Sequence, residues 1–351
     1  TEDFNGEVQE GFGRYETNIK DGRRWSSARA YLDPARRRPN LTVCTRAHVT
    51  EVLFEGQRAA GVAYRRVGRG GRVRAAREVI LAAGAVNSPQ LLMLSGVGPV
   101  AALERVGVAV HTDLPGVGQD LQDHLDISIC HACTRPLTVY RYLALDRLAV
   151  QLARSLLYGT GPASIFPQEA GAFIRSTPDE AVPDLQAHLL PVLSDRVRVR
   201  PPFAHLFDRD PADGHGYAVR ISLLRPHSRG SVELASSDPF AKPCIRPMCF
   251  SDGRDMELLR RAIGIGRDIL AQDAFKPFDA GEIAPGPDVR DDASVEAWIR
   301  RAVTTEFHPT STCRMGQDPM AVVDDRLRVI GLEGLRVADA SIMPTIVGGN
   351  T

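Results

Sequence analysis

The sequence contains no apolar run near the ~20 residues that a membrane-spanning helix needs. Aromatic residues are also scarce, at 6% of 351 residues. Neither sign of charge is in excess, because 43 Lys and Arg balance 43 Asp and Glu. No overall field therefore draws the chain to nucleic acid or to an anionic surface. With 43% hydrophobic residues, the composition and length predict a globular chain of two domains.

Cysteine is sparse, and the six cysteines are scattered along the chain. This argues against a disulfide framework and favours a reducing, cytoplasmic compartment, with which peripheral contact at an inner membrane is compatible. Cys130 and Cys133 have redox-motif spacing, but the alternation from Leu125 to Thr134 indicates a strand. Residues three apart on a strand face opposite sides of the sheet, so we interpret both as unpaired strand cysteines.

A glycine-rich dinucleotide fingerprint is missing as well. Gly96–Ala101 has a related spacing, but it follows a predicted helix, Pro89–Leu94, instead of a strand. Gly264 and Gly266 lie inside a predicted helix, where close packing is the better interpretation. A complete βαβ unit takes about 30 residues, so we expect it to precede Thr1. The start without Met and the end shortly after a glycine pair also predict a fragment of a longer protein.

The first third of the chain is rich in predicted strands. β-branched and apolar residues mark four of them: Asn40–Thr45, Val49–Phe54, Ala59–Tyr64 and Glu78–Ala82. The fourth has no polar alternation, which predicts a strand buried on both faces in a parallel sheet. Small residues follow it directly and would let a ligand or a helix come close.

The pattern changes between Asp126 and about Val295. Alternating segments predict antiparallel strands, and apolar residues at helical spacing predict helices, the first of them a core-facing or lid helix. Segments rich in proline, aspartate and arginine predict long loops. The predicted strands are Tyr217–Leu224 and Gly230–Leu234, the helices Leu145–Leu157, Asp255–Ala271 and Ser294–Ala302, and the loops Pro183–Phe207 and Arg209–Gly216.

The last forty-odd residues carry the densest motifs. The block Glu306–Gly316 reads EFHPTSTCRMG and places His308 in a loop beside a proline. Leu335–Asp339 predicts a short strand that ends in an acid and small residues. Such an end leaves backbone N–H groups for a phosphate-bearing cofactor or for the start of a helix.

These blocks, together with residues 78–92, resemble the glucose–methanol–choline (GMC) oxidoreductase family. Ser88–Pro99, read as SPQLLMLSGVGP, matches a signature of that family nearly letter for letter. The resemblance covers essentially the whole chain and is nearest to choline dehydrogenase-like and alcohol dehydrogenase-like members. It implies an α/β (α+β overall) fold, in which an FAD-binding Rossmann-like domain, incomplete here, is interleaved with an antiparallel-sheet substrate domain. The expected boundaries are 1–125 and 301–351 for the former and 126–300 for the latter.

The resemblance also assigns roles to single residues. His308 matches the active-site histidine, and Asn350 matches a second active-site position that is Asn in choline-type members. FAD contacts are implied at Val49, Ala83, Gly84, Asp339, Ala340 and Thr351. No metal ligand is implied. Ser311 stands where most members carry glycine, which could change the shape of the pocket.

The implied reaction is FAD-dependent oxidation of a primary alcohol, choline-like or aliphatic, to the aldehyde. A side chain cannot accept a hydride, so the cofactor must, at flavin N5, while His308 removes the hydroxyl proton. The partners are a small alcohol and an electron acceptor, either oxygen or a quinone or respiratory carrier. Two alternatives stay open, a hydroxynitrile-lyase-like flavoprotein and an inactive, flavin-free fragment. If the substrate is choline, Asp126, Glu169 and Glu306 are candidate partners of its ammonium group.

Overall fold

A computed structural model describes residues 1–165, 168–193, 199–207 and 212–351 of the chain. Residues 194–198 and 209–211 of the two predicted loops lie outside the described residues. The first loop prediction, Pro183–Phe207, is wrong at Leu185–Leu190, which form a strand. The strands are β1 (Gly11–Arg14), β2 (Ile19–Lys20), β3 (Arg23–Arg24), β4 (His48–Glu55), β5 (Arg58–Arg66), β6 (Arg69–Arg74), β7 (Val79–Leu81), β8 (Val97–Gly98), β9 (Thr112–Asp113), β10 (Leu125–Cys133), β11 (Ala170–Ile174), β12 (Leu185–Leu190), β13 (Gly216–Leu223), β14 (Ser231–Glu233), β15 (Cys244–Arg246), β16 (Asp279–Ala284), β17 (Thr304–Thr305) and β18 (Leu335–Val337). The α-helices are α1 (Asp33–Ala35), α2 (Gly84–Leu94), α3 (Val100–Arg105), α4 (Leu145–Tyr158), α5 (Gly253–Leu270) and α6 (Asp292–Ala302).

The chain forms two compact units that exchange segments along the sequence. Unit 1 comprises residues 1–42, 125–224 and 256–304, and unit 2 comprises 43–124, 225–255 and 305–351. The assignment of 1–125 and 301–351 to an FAD-binding domain and of 126–300 to a substrate domain stays a prediction.

Unit 1 is built on an antiparallel sheet in the order β1-β11-β12-β13-β10-β16. This confirms the expected antiparallel sheet. Strand β10 pairs with β13 in a register that places Ile127 opposite Ile221, and both side chains are fully buried. Cys130 and Cys133 lie on β10 and form no disulfide with each other, as the strand interpretation predicts.

Helix α5 packs against this sheet through a glycine. A Cβ built on Gly266 would lie 2.6 Å from Cδ1 of Ile129 and 3.1 Å from Cδ1 of Ile221. The interpretation of this glycine as a close-packing position is therefore confirmed. For Gly264 the same interpretation is wrong, because this residue is exposed and a Cβ there would meet nothing within 4 Å. The side chain of Asp252 accepts a hydrogen bond from the backbone N of Arg254, as expected of a capping residue at the helix start.

Helix α4 forms where it was predicted, but it is not a core-facing helix. None of its fourteen residues is buried, and Leu156 and Leu157 are 70% and 73% exposed. The helix ends at Gly159 in the left-handed conformation, with φ +64°, as helices with a terminal glycine often do. Across the described ranges, no helix is both long and apolar enough to cross a membrane.

Unit 2 contains one apolar core and four small sheets, which are β4-β5-β6, β7-β18, β8-β9 and β14-β15. Strands β4, β5 and β6 form an antiparallel meander, and β7 pairs with β18 in parallel. Helix α2 contributes Leu91, Leu92 and Met93 to the core that these elements share.

Three local predictions in unit 2 are wrong. Asn40–Thr45 is not a strand. Ile80 on β7 is 54% exposed, so that strand is buried on one face and not on both. The helix predicted at Pro89–Leu94 forms, but it begins five residues earlier, at Gly84. There the carboxylate of Asp339 accepts from the backbone N of Gly84, and the hydroxyl of Ser88 accepts from that of Ala83.

The two glycines of α5 provide a matched test of the packing. Gly264→Ala should stabilise the protein by up to about 1 kcal/mol, because alanine is the better helix former and meets no neighbour. Gly266→Ala gains the same propensity but overpacks Ile129 and Ile221, which typically costs about 1–3 kcal/mol. We expect Gly266→Ala to be the less stable variant by about that amount in urea unfolding of the full-length protein. Equal stability of the two would contradict the packing described.

Candidate active site

His308 lies in a loop whose backbone groups form hydrogen bonds with two other segments of unit 2. Thr310 exchanges backbone hydrogen bonds with Gln122 on one side. On the other side, the backbone N of Ser311 donates to the carbonyl of Ala340, and that of Cys313 donates to Ser341. Thr310, Ser311 and Cys313 are fully buried, so the loop is fixed although it forms neither a helix nor a sheet of its own.

The carboxylate of Asp123 fixes the residues on both sides of Glu306. Its Oδ1 accepts from the backbone N of His308 at 2.9 Å, and its Oδ2 accepts from the hydroxyl of Thr305. Burial raises the pKa of Asp123, and these hydrogen bonds oppose that shift. One side chain thus determines where the histidine enters the site.

A second anchor of the loop depends on a proline. Pro89 lies within α2 and has no N–H with which to bond the carbonyl of Ala85 four residues earlier. The hydroxyl of Thr312 donates to that carbonyl at 2.6 Å instead. Pro89 in the signature segment thus leaves a carbonyl unpaired, and Thr312 in the histidine block satisfies it.

The ring of His308 is paired with that of His124. Their Nδ1 atoms are 3.0 Å apart, and the two rings are nearly perpendicular. The Nε2 of His124 lies 3.1 Å from the carbonyl of Val347, which can only accept, so this nitrogen carries a proton. In its neutral form His124 then has a lone pair on Nδ1, and His308 must donate its own Nδ1–H to it. This assigns the lone pair of neutral His308 to Nε2, which is the nitrogen able to take a proton.

Glu306 completes a cluster around the same nitrogen. Its Oε2 is 3.6 Å from Nδ1 of His308, and both side chains are nine-tenths buried or more. Burial lowers the pKa of His308, against the opposing charge of Asp123. A neutral His308 is therefore favoured near neutral pH. If the ring is protonated, the carboxylates of Glu306 and Asp123 can balance its positive charge.

Gln122 ties the end of the chain to this cluster. Its side-chain oxygen accepts from the backbone N of Ile346 at 3.1 Å, and its amide nitrogen donates to the carbonyl of Pro344 at 3.4 Å. The next residue is Val347, whose carbonyl bonds His124. Asn350 and Thr351, which follow shortly, are exposed.

The residues expected to contact FAD lie mostly where the parallel strands β7 and β18 end. Ala83 is exposed there, and a Cβ on Gly84 would meet nothing within 4 Å, so open space lies over this edge. Ala340, just past β18, is half-buried. Small residues at the carboxyl ends of parallel strands suit a flat ligand that approaches the backbone closely. Val49, at the start of β4, is also partly buried and packs against the core.

The contacts of Asp339 distinguish the two roles that the sequence left open for this strand end, a phosphate site and the start of a helix. Its Oδ2 accepts from the backbone N of Gly84 at 3.0 Å and from the hydroxyl of Ser88 at 2.6 Å. Its Oδ1 accepts from the backbone N of Ser341 at 2.8 Å and starts a short 3-10 helix there. The carboxylate therefore already fills the anion position at the start of α2, and a phosphate would be repelled from it.

Two residues beside His308 have a backbone conformation that favours glycine. Phe307 has φ +61°, and Ser311 has φ +75°. Phe307 is 83% exposed, whereas Ser311 is fully buried. A left-handed conformation costs a residue with a side chain about 1–2 kcal/mol. The serine at position 311 therefore strains the loop in a conformation that glycine would adopt without this cost.

His124 and Glu306 are the functional candidates that sequence reasoning missed. No role was predicted for His124, and Glu306 was considered only as a partner for choline. The pairing of His124 with His308 spans 184 residues, and no local spacing reports a contact of that range. The usable signal was the block Gln119–His124, which also recurs in the family that the chain resembles.

Comparison with known proteins finds similar proteins over nearly the whole chain. Two family models described as GMC oxidoreductase match residues 1–126 and 226–351. The chain is 44% identical to an oxygen-dependent choline dehydrogenase of Brucella anthropi, over 100% of this chain and 62% of that protein. It is also 44% identical to the mitochondrial choline dehydrogenase of Homo sapiens, over 100% of this chain and 58% of that protein. The chain thus spans about three fifths of the length of these curated relatives.

Solved structures resemble the fold over nearly the whole chain. Pyridoxine 4-oxidase from Mesorbium loti matches with a TM-score of 0.83 and 31% identity, covering 99% of this chain and 62% of that one. A formate oxidase matches with a TM-score of 0.85 and 26% identity, covering 99% and 63%.

Substitutions at Phe307 test the strain beside the histidine. Phe307→Gly should be more stable than Phe307→Ala by about 1 kcal/mol, because only glycine adopts φ +61° without cost. The comparison of urea unfolding midpoints isolates the backbone, since both variants lose the same exposed ring. At the exposed strand residue Phe12 the same pair should fall in the opposite order, because glycine weakens a strand. The same order at both positions would contradict the strained loop.

Proposed function

The chain belongs to the GMC oxidoreductase family, and we propose that it carries the active site of a flavoenzyme that oxidises a primary alcohol to an aldehyde. The observation that supports this most directly is the arrangement of His308. Its Nδ1–H is committed to His124, its Nε2 holds the lone pair, and its lowered pKa keeps it neutral. These are the properties of a general base for a hydroxyl proton.

Proton removal leaves a positive charge on His308 that the surrounding groups can balance. Glu306 lies 3.6 Å from Nδ1, and Asp123 holds the backbone of the same residue. The protonated ring keeps its hydrogen bond to His124, so it need not turn during the reaction. Asn350 is the proposed partner of the substrate oxygen, since its amide can donate to a developing alkoxide.

Bound FAD would supply the hydride acceptor that no side chain can provide. The open edge of β7 and β18 fits such a group, with Ala83, Gly84 and Ala340 as its proposed contacts there. Val49, Asp339 and Thr351 complete the proposed set. Because the carboxylate of Asp339 caps α2, its proposed role is to shape this edge and not to bind a phosphate.

Choline is the first substrate to test, because two of the curated relatives are named for it. Of the carboxylates considered for its ammonium group, Asp126 already accepts from Thr304 and lies 3.7 Å from Arg220. Glu169 is exposed, and Glu306 is the one beside His308. The electron acceptor, oxygen or a quinone or respiratory carrier, is likewise to be determined by experiment.

Removal of the base tests the assignment of His308. His308→Ala should slow flavin reduction in the full-length, flavin-loaded protein by about 10²–10⁴-fold, as loss of a general base typically does. Anaerobic stopped-flow absorbance measures this rate with choline and with a medium-chain primary alcohol. His227→Ala, at a half-exposed histidine of the same unit, should leave the rate unchanged.

The wild-type protein decides the reaction class in the same experiment. Bleaching of the flavin by either alcohol supports oxidation, and repeating the measurement in air separates an oxidase from a dehydrogenase. A flavin that neither alcohol bleaches would count against the proposed function and favour a lyase-like activity.

The pH dependence provides a second test. The base must be neutral to act, so kcat/KM should fall as the pH drops through the pKa of His308. Burial places that pKa below the ordinary value of 6.5. The groups facing the ring are Asp123, His124 and Glu306.

Asp123→Asn removes a charge that raises the pKa of His308, so the acid limb of kcat/KM should move to still lower pH. Asp325→Asn, at an exposed carboxylate of the same unit, should leave the limb in place. A limb above pH 6.5, or one that moves upward in Asp123→Asn, would show that another group is titrating.

A further inference from the structure

His124, Glu306 and His308 form a cluster with the composition of a metal site. One ligand atom from each lies within 4.8 Å of the other two. We propose that this cluster binds a divalent transition metal ion such as Zn²⁺, and that binding switches off His308 as a base. The inhibitory effect rests on the proposed function, whereas the binding itself does not.

The three side chains have the right chemistry and spacing for zinc. Two imidazoles and one carboxylate are a common set of protein ligands for this ion, which binds each at about 2.0–2.2 Å. The two Nδ1 atoms are 3.0 Å apart, and Oε2 of Glu306 is 3.6 Å from the second of them. Ligand atoms held around one ion are separated by similar distances, so small side-chain adjustments would close the site.

The surroundings of the cluster hold its members as metal ligands are usually held. A metal-bound histidine typically donates its other ring N–H to a carbonyl or a carboxylate. His124 already does so, through Nε2 to the carbonyl of Val347 at 3.1 Å, which directs its Nδ1 lone pair into the cluster. The backbone N of Glu306 donates to the carbonyl of His124, and that of His308 donates to Asp123.

Metal binding and base catalysis require opposite tautomers of His308. As a base, the ring carries its proton on Nδ1 and its lone pair on Nε2. As a ligand through Nδ1, it must carry the proton on Nε2, where it can no longer accept one from an alcohol. The proton is transferred within the ring through solvent, so no net charge is lost and no oxidation or reduction takes place. Zn²⁺ would thus inhibit without entering the space that the substrate needs.

Calorimetry of the full-length, flavin-loaded protein, freed of metal with a chelator, tests binding directly. We expect one Zn²⁺ per chain at this cluster, and no comparable binding of Mg²⁺, which prefers oxygen ligands in an octahedral arrangement. Glu306→Gln removes one ligand and should weaken Zn²⁺ binding at least tenfold, as the loss of even an outer-shell partner does. His227→Gln, which lies outside the cluster, should bind Zn²⁺ as the wild type does.

Inhibition is measured as the ratio of flavin-reduction rates with and without Zn²⁺ for each protein. The Zn²⁺ concentration that halves the rate should rise in Glu306→Gln by the same factor as the dissociation constant. His124→Gln should raise both quantities in the same way. Because His124 is fully buried, this variant could fail to fold, and Glu306→Gln then provides the test.

The outcomes separate the two proposals. If Glu306→Gln binds Zn²⁺ as tightly as His227→Gln does, or if the wild type binds none, the metal site is wrong whether or not alcohols reduce the flavin. If Zn²⁺ binds and Glu306→Gln weakens it, but no alcohol reduces the flavin, the metal site stands and the proposed function falls.

Discussion

The active-site loop depends on the carboxylate of Asp123. A histidine between two loop residues has no helix or strand to aim its ring, so its backbone must be held from outside. Asp123 does this through the backbone N of His308 and the hydroxyl of Thr305. The next residue in the chain is His124, which holds the ring of His308 itself. Two neighbouring residues therefore set both the position of the proposed base and the ring nitrogen that holds its lone pair.

Side chains from other segments also satisfy backbone groups that lack a partner within their own helix. Pro89 breaks the hydrogen-bond pattern of α2, and the hydroxyl of Thr312 repairs it from the histidine loop. Asp339 satisfies the backbone N of Gly84 and also starts the turn that receives Cys313. Each of these polar groups is thus satisfied by a residue that is distant in sequence. The signature segment, the histidine block and the end of β18 therefore hold one another in place.

The sequence predicted the sheets, the family and the position of His308, but not the environment that gives this residue its chemistry. Strand alternation is local, so β10 and β13 could be read directly. Exposure depends on neighbours that are distant in sequence. This is why Ile80 was wrongly placed in the interior, and why the sequence could not choose between a core-facing helix and a lid helix for α4. The pairing of His124 with His308, and therefore the tautomer, needs contacts across 184 residues that no motif spells out.

The hydrogen bond from His124 to the carbonyl of Val347 couples the segment 344–347 to the tautomer of His308. If that segment moves away, His124 no longer has a reason to keep its proton on Nε2. The pair can then adopt the reverse arrangement, in which His124 donates to Nδ1 of His308 and His308 carries its own proton on Nε2. By thermodynamic reciprocity, whatever stabilises the tautomer of His308 with its lone pair on Nε2 also strengthens the docking of residues 344–347. Assembly of the pocket and readiness for proton transfer are then a single equilibrium.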